Sequence, residues 1–177
     1  MNVTVFGGAS AQPGDLGYQD ALKLGSLLAL AGHTVLTGGY MGTMEAASKG
    51  AAQAGGHVIG VTCAEIERWR DARANPWVKE EWKTDTLGER LSLLMDQAQA
   101  AIALPGGAGT LVEISLLWNR MIIAAAPVRP LILVGKGWKD TLEALFREQD
   151  SYIGEPQRRL LTFSPTVEAA AALLPHG

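Results

Sequence analysis

The length, composition and charge of the chain limit the kinds of protein that it can be. Its 177 residues fit one domain, and 47% hydrophobic with 19% charged residues fit a folded protein rather than a disordered one. A net charge of −3 without a long basic run disfavours nucleic acid as a partner. We find no membrane span and no signal peptide, and the single cysteine, Cys63, fits a reducing compartment. These features predict a cytoplasmic protein.

Short apolar runs alternate with helical patterns along the chain. In chain order the predicted elements are strand Val3–Phe6, helix Tyr18–Ala31, strand Thr34–Thr37, helix Gly42–Ala54, strand His57–Val61, a polar Trp-bearing stretch Thr62–Lys83, helix Leu87–Ala98, strand Ala100–Leu104, helix Thr110–Ala124, strand Leu131–Val134, helix Asp140–Glu148, strand Leu160–Phe163 and helix Thr166–Leu174. Short, continuously apolar strands are buried on both faces, and their alternation with helices is typical of parallel sheets. We therefore predict an α/β fold, a Rossmann-like doubly wound parallel sheet with helices on both faces, as a single domain over 1–177.

Three of the strand-to-helix turns are rich in glycine, and right-handed crossovers place all of them at the carboxyl edge of the sheet. Small residues there allow main-chain N–H groups and the following helix to bind a phosphate. The alternative is that the glycines only make tight turns. None of the turns matches the P-loop or the Gly-x-Gly-x-x-Gly pattern, so an ordinary NAD site is disfavoured. The predicted phosphate-binding residues are Gly8, Ser10, Gly38, Gly39, Gly42, Thr43, Pro105, Gly106, Gly107, Ala108, Gly109 and Thr110.

Two charged residues are candidates for a catalytic role, and each has a simpler structural interpretation. Glu113 follows Thr110 by three residues, which is the spacing of a capping box at a helix start. The functional alternative is that the third turn points this carboxylate into the phosphate-lined cleft. Arg90 flanks the apolar stripe of helix Leu87–Ala98, where an arginine usually extends over the core towards water. The alternative is that its guanidinium reaches a phosphate or a ribose at the sheet edge.

The tryptophans and histidines permit further predictions. Trp69, Trp77 and Trp82 lie in the stretch Thr62–Lys83, which is either a lid that stacks on a base or a surface helix and loop packed by its own tryptophans. The helix that follows the third turn is apolar on nearly every face, which indicates full burial or a subunit interface, and hence a dimer. The histidines, His33, His57 and His176, show no metal-ligand spacing, so we predict neither a metal nor a cofactor.

The third turn carries the most specific motif of the chain. Residues 105–113 read Pro-Gly-Gly-Ala-Gly-Thr-Leu-Val-Glu, and this resembles the Pro-Gly-Gly-x-Gly-Thr-x-x-Glu signature of the LONELY GUY (LOG) family, often labelled "possible lysine decarboxylase". The first and second turns and the segment Gly55–Val61 are similar to the family as well. In this chain Leu87-Gly88-Glu89-Arg90-Leu91 stands where many active members read Met-His-Glu-Arg-Lys, and Glu45 replaces a glycine of the second turn.

The resemblance implies a Rossmann-like homodimer that hydrolyses a nucleoside 5′-monophosphate, AMP or a cytokinin nucleotide, to free base and ribose 5-phosphate. The catalytic pair of the family, an arginine and the glutamate of the motif, falls on Arg90 and Glu113. A non-catalytic nucleotide or molybdenum-cofactor carrier is the alternative that the wider superfamily suggests, and single-stranded DNA handling is a third. Lysine decarboxylation is disfavoured, because no lysine lies in the glycine-rich turns to hold pyridoxal phosphate.

Overall fold

The computed structural model describes residues 1–175, so His176 lies outside the described residues. The elements in chain order are β1 (Asn2–Phe6), α1 (Leu16–Leu30), β2 (Thr34–Thr37), α2 (Thr43–Gln53), β3 (Val58–Cys63), α3 (Ala64–Arg70), β4 (Glu80–Thr84), α4 (Leu87–Asp96), β5 (Ala100–Ala103), α5 (Ala108–Ile122), β6 (Leu131–Val134), α6 (Lys136–Glu148), α7 (Glu155–Arg158), β7 (Thr162–Ser164) and α8 (Val167–Ala172). Within the described residues, no helix is long and apolar enough to cross a membrane.

The strands form one sheet in the order β4-β3-β2-β1-β5-β6-β7, with every neighbouring pair parallel. The chain builds the sheet outwards from β1 in one direction as far as β4, then returns to β5 on the other side of β1. The strand order therefore reverses between β1 and β5, and a crevice forms at such a point beyond the carboxyl ends of the strands. The predicted Rossmann-like, doubly wound parallel sheet is confirmed.

Two hydrophobic layers pack against the faces of this sheet. On one face α1, α2 and α8 cover alternate side chains of the central strands, among them Val3 and Val5 of β1. On the other face α4, α5 and α6 cover the intervening positions, which include Phe6. The central strands are consequently buried on both sides, and this explains why their sequences are continuously apolar rather than alternating.

The structure differs from the sequence prediction most clearly in the stretch 62–83. This stretch contains the end of β3, the short helix α3 and most of the edge strand β4, where the pattern indicated only a polar, Trp-bearing segment. Strand β4 has one neighbour and exposes its glutamates, so the sequence Glu-Glu-Trp-Lys-Thr lacks an apolar run. Helix α6 begins at Lys136 rather than at Asp140, and α7 was not predicted, because four residues are too short for a periodic pattern.

Candidate functional site

A cleft of about 480 Å³ opens at the carboxyl edge of the sheet, where β1 and β5 diverge. Three parts of the chain enclose it. The first and third glycine-rich turns form one wall, Met44 of α2 and Arg90 of α4 form the floor, and Ile66, Trp69 and Arg70 of α3 form the opposite wall. Of four other pockets in the described chain, one contains Pro105 and Gly106 of the third turn, and the other three contain no residue of the glycine-rich turns.

Gly8 of the first turn ties the three turns together. Its N–H donates to the Pro105 carbonyl oxygen at 3.2 Å, and its own carbonyl oxygen accepts from both the N–H and the hydroxyl of Thr43, at 3.0 Å each. Because both main-chain groups of Gly8 and the hydroxyl of Thr43 are used in this way, they hold the cleft in shape. The exposed Ser10 follows two residues later and lines the same wall.

The third turn presents the N-terminus of α5 to the cleft. Gly107 is the N-cap residue and makes no side-chain cap, and the first main-chain hydrogen bond of the helix runs from the Leu111 N–H to the Gly107 carbonyl oxygen. The N–H groups of residues 108–110 precede that bond, and such groups at a helix start are free to bind an anion. Gly107, Gly109 and the buried Thr110 line the cleft.

The capping-box interpretation of Glu113 is wrong. Because α5 begins at Ala108, two residues earlier than the pattern indicated, Thr110 lies inside the first turn and Glu113 in the second. Glu113 is only 9% exposed, and the part that remains accessible faces the cleft. Within residues 1–175 its carboxylate takes part in none of the hydrogen bonds or ion pairs. Burial raises the pKa of Glu113 to about 7, and nearby Arg90 opposes the rise.

Arg90 does not extend over the core towards water, as the simpler interpretation expected. Its side chain is 5% exposed and runs inwards, towards the carboxyl ends of β2 and β3. Nε donates to the Val61 carbonyl oxygen at 2.8 Å and Nη2 to the Gly38 carbonyl oxygen at 3.0 Å. The guanidinium carbon lies 5.6 Å from the centre of the Tyr40 ring. Burial lowers the pKa of Arg90, yet an arginine in such contacts keeps its charge at neutral pH.

The second glycine-rich turn supports Arg90 instead of lining the cleft. A Cβ at Gly38 would lie 1.8 Å from Arg90 Nη2, so only glycine leaves room for the guanidinium. Gly42 has a φ of +72°, and a Cβ there would lie 2.5 Å from the carbonyl carbon of Ala9. Gly39 has a φ of +77°, and its carbonyl oxygen accepts from the side chain of Asn75.

Of the predicted site residues, the structure gathers seven around the cleft and places the others beside or behind it. Those that line the cleft are Gly8, Ser10, Arg90, Gly107, Gly109, Thr110 and Glu113. Those that shape the turns without lining it are Gly38, Gly39, Gly42, Thr43, Pro105, Gly106 and Ala108. Glu45 lies on α2, where it accepts a hydrogen bond from the Tyr18 hydroxyl at 3.5 Å.

The sequence pattern indicated a lid or a surface segment for the stretch around Trp69 and did not predict that α3 forms a wall of the cleft. Trp69 is 79% exposed and Arg70 lines the cleft beside it. Trp77 lies under Lys49, and Trp82 packs partly against the core, so the tryptophans do not pack on one another. A surface segment packed by its own tryptophans is therefore not observed, and a lid over the cleft stays a prediction. The signal that could have located this wall is the pair Trp69–Arg70 at the end of the segment that follows β3.

Comparisons with known proteins identify the family of the chain. The model of the SLOG cluster4 family matches residues 1–152. A probable cytokinin riboside 5′-monophosphate phosphoribohydrolase of rice (Oryza sativa subsp. japonica) is 32% identical over 180 residues, which cover 93% of this chain and 67% of the rice protein. A cytokinin riboside 5′-monophosphate phosphoribohydrolase of Mycobacterium tuberculosis is 31% identical over 133 residues, which cover 75% of this chain and 69% of that protein.

The solved structure of a protein with a different role is also similar to this chain. The molybdenum cofactor binding protein of the phototrophic bacterium Rippkaea orientalis superposes with a TM-score of 0.73 at 26% identity. The match covers 97% of this chain and 93% of that protein, so the two share the whole fold.

Proposed function

The chain belongs to the SLOG cluster4 family and is related to the LOG phosphoribohydrolases, and on this premise we propose that it hydrolyses the N-glycosidic bond of a nucleoside 5′-monophosphate. The resemblance that the motif indicated is thereby confirmed. The products would be the free base and ribose 5-phosphate. The observation that carries the proposal is Glu113, a buried carboxyl group that is open to the cleft and has a pKa near neutrality.

The 5′-phosphate would bind at the wall formed by the first and third turns. The positive end of the α5 dipole, the N–H groups of residues 108–110 and the hydroxyl of Ser10 all lie at this wall, and each favours an anion. Gly107 and Gly109 have no heavy atom within 4 Å of an added Cβ, so the space in front of them is open to a ligand.

Glu113 would act on the anomeric carbon. The bond from C1′ to the base breaks with its electron pair passing to the base, and positive charge develops on the sugar ring. An ionised Glu113 stabilises that charge and accepts a proton from the attacking water, whose oxygen becomes the C1′ hydroxyl group. The proton then passes to the departing base, so that the carboxylate is restored.

Arg90 would keep Glu113 ready for this role. Val61 and Gly38 fix the guanidinium by their carbonyl oxygens, and no direct ion pair with Glu113 forms within the described chain. The positive charge still favours the carboxylate, because Arg90 opposes the rise that burial causes in the pKa of Glu113.

Release of free base from a panel of nucleoside monophosphates, AMP included, tests the proposal. We expect turnover by the wild type and a loss of about 100- to 1,000-fold in Glu113→Gln, the size that one electrostatic group at a transition state commonly contributes. Glu143→Gln, which changes an exposed carboxylate on α6, is the matched control and should retain full activity. Turnover by Glu113→Gln at the wild-type rate would contradict the mechanism.

A second candidate function is a carrier for a nucleotide or for the molybdenum cofactor, without turnover. The similarity to the Rippkaea orientalis protein over nearly the whole chain favours it. It predicts a pterin-like absorbance in the purified protein and no base release from any monophosphate. Lysine decarboxylation has no such support, because no lysine lines the cleft in the described chain. A Schiff-base absorbance after addition of pyridoxal phosphate would contradict that conclusion.

We also propose that the protein is a homodimer. Helix α5 buries Trp118 and Met121 in the core, but Leu111 and Val112 of the helix and its C-cap residue Ile123 are exposed, at 43%, 46% and 64%. A second copy packed on this face would remove that apolar surface from water. In a sedimentation experiment Ile123→Glu should behave as a monomer. Leu30→Glu, which changes a similarly exposed leucine on α1, should sediment like the wild-type dimer.

A further inference from the structure

We propose that Arg70 recognises the base of the substrate and selects a 6-oxopurine, such as guanine or hypoxanthine, over adenine and its N6-substituted forms. The inference rests on the proposed function, since it assigns the leaving group of that reaction. It makes Arg70 a specificity-determining residue on a wall of the cleft that the predicted catalytic pair and the glycine-rich turns do not form.

The strand order places the base beside α3. Helix α5 follows β5 and the first turn follows β1, so the phosphate wall lies at the centre of the sheet. Helix α3 follows β3, which is separated from β1 by β2. A nucleotide whose phosphate lies at α5 and whose C1′ lies at Glu113 therefore extends its base towards α3, where Ile66, Trp69 and Leu87 offer apolar and aromatic surface.

Arg70 faces this space with its hydrogen-bonding groups unused. Its guanidinium carbon lies 5.3 Å from the centre of the Tyr40 ring and 5.8 Å from that of Trp69. Its Nε is buried and has no hydrogen-bond partner in the structure, and no ion pair within residues 1–175 includes Arg70. The Nη groups of Arg70 also make no hydrogen bond within residues 1–175, and a ligand acceptor in the cleft that Arg70 lines would give this guanidinium a partner.

Arg90 carries the same charge as Arg70, and this makes a hydrogen-bond acceptor beside Arg70 more favourable. Both guanidinium groups lie near the Tyr40 ring, at 5.3 Å from its centre for Arg70 and 5.6 Å for Arg90. Their mutual repulsion contributes to lowering the pKa of Arg90. A ligand group that carries negative charge beside Arg70 would reduce the repulsion, whereas a group that donates hydrogen bonds would add to it.

The chemistry of the purines decides which base meets these conditions. A guanidinium has only donors, in a planar fork, and the O6 and N7 atoms of guanine are two adjacent acceptors that match the fork. Adenine presents an amino donor in place of O6, and a substituent on that nitrogen adds bulk at the same position. When the bond from C1′ to N9 breaks, the electron pair leaves on the base, and hydrogen bonds from Arg70 to O6 and N7 would stabilise that charge.

The test measures kcat/KM for base release from GMP, IMP, AMP and N6-isopentenyl-AMP. We expect the wild type to prefer GMP and IMP over AMP by about tenfold or more, which is the discrimination that one bidentate contact provides. Arg70→Gln should lower kcat/KM for GMP and IMP by about 10- to 100-fold and change AMP by less than about threefold. Arg68→Gln is the matched control, since Arg68 lies on the same helix but is exposed and does not line the cleft.

Two results would overturn the proposal. The first is a wild-type preference for AMP or its N6-substituted form. The second is an equal loss of all four activities in Arg70→Gln, which would place Arg70 at the phosphate instead.

Calorimetric titration of GMP and AMP into wild type and Arg70→Gln keeps the inference separate from the proposed function. Selective GMP binding that is lost in Arg70→Gln supports the inference even without turnover, whereas base release with equal GMP and AMP affinity supports only the hydrolase.

Discussion

The second and third glycine-rich turns lie at the same edge of the same sheet, yet the protein fills the space around every glycine of the second turn and leaves the space around two glycines of the third open. An added Cβ would meet Arg90 at Gly38 and the main chain of Ala9 at Gly42. At Gly107 and Gly109 it would meet nothing within 4 Å. The second turn therefore needs glycine for packing, whereas the third needs it for packing only at Gly106 and leaves the space at Gly107 and Gly109 open to a ligand.

The difference extends to the charged residue associated with each turn. Arg90, which the second turn supports, donates to two carbonyl oxygens and lies over the Tyr40 ring. Glu113, on the helix that follows the third turn, is equally buried but takes part in none of the hydrogen bonds of residues 1–175, and its pKa is raised by desolvation. Arg90 is thus a cation with hydrogen-bond partners in the protein, and Glu113 is a carboxyl group without such partners in the described chain. The first arrangement stabilises the fold, and the second provides reactivity.

Substitution of Gly42 should give the largest change in stability and would test the packing role of the second turn. Alanine at a φ of +72° is strained, and its Cβ would approach the main chain of Ala9, which cannot move as a flexible side chain can. We expect Gly42→Ala to lower the free energy of unfolding by about 3 to 4 kcal/mol in urea denaturation. Gly107→Ala, the counterpart in the third turn, should change it by less than about 1 kcal/mol. Equal losses would remove the distinction between the turns.

The pH dependence of stability should reveal the unsatisfied carboxyl group. Burial raises the pKa of Glu113 from its ordinary value of 4.5 to about 7 in the folded protein. Between these values the folded state holds a proton that the unfolded state has lost, so the contribution of Glu113 to stability falls as pH rises and its loss is complete above pH 7. Glu113→Gln should thus match the wild type near pH ~4 and exceed it by about 3 kcal/mol near pH ~8.

The ionisation of Glu113 should also control activity, which should rise with pH as the contribution of Glu113 to stability falls. Base release needs the ionised carboxylate, so kcat/KM of the wild type should rise with pH and level off above about 7. Glu113→Gln should therefore combine higher stability above that pH with lost activity, which is expected of a group kept for function. A variant that is less stable than the wild type at all pH values would contradict the assignment of Glu113 as an unsatisfied group.

Gly38→Ala should have a smaller effect on the fold than Gly42→Ala. Its Cβ would displace Arg90 Nη2 and Met44 Sδ, and both belong to flexible side chains. The guanidinium would lose its bond to the Gly38 carbonyl oxygen, so we expect a loss of about 2 kcal/mol in urea denaturation. Base release should fall to the rate of an Arg90→Met variant, which lacks the guanidinium group. Normal activity in Gly38→Ala would show that the position of Arg90 is not critical.

The sequence predicted the fold well where burial dominates. Strands such as Thr34–Thr37 and Leu131–Val134 are buried on both faces, and their predicted bounds agree with the structure. It missed β4, because an edge strand with exposed glutamates has no apolar signal, and it placed the start of α5 two residues late. Because the predicted helix began at Thr110, Glu113 lay three residues after its start, which is the spacing of a capping box. In the structure the same spacing joins a first-turn threonine to a second-turn glutamate.

The candidate site was predictable in its residue types but not in their contacts. Glycine-rich turns at one sheet edge indicated the cleft, whereas nothing local distinguishes Gly38, which accommodates a guanidinium from α4, from Gly109, which faces open space. Arg90 and Gly38 are 52 residues apart in the chain. The contribution of α3 depends in the same way on the position of β3 within the sheet, and a periodic pattern carries no information about such long-range neighbours.

Gly109→Ala should produce the smallest change in stability, with a sign opposite to that of Gly42→Ala. Gly109 lies in the first turn of α5 with open space around an added Cβ, and alanine favours a helix over glycine, so the free energy of unfolding should rise by up to about 1 kcal/mol. The new methyl group would occupy the space in front of the helix N-terminus, and affinity for a nucleoside monophosphate should fall by about tenfold in calorimetric titration. If affinity is unchanged, the phosphate does not bind at α5. If Gly109→Ala instead lowers the free energy of unfolding, the third turn is packed like the second, and the comparison between them no longer holds.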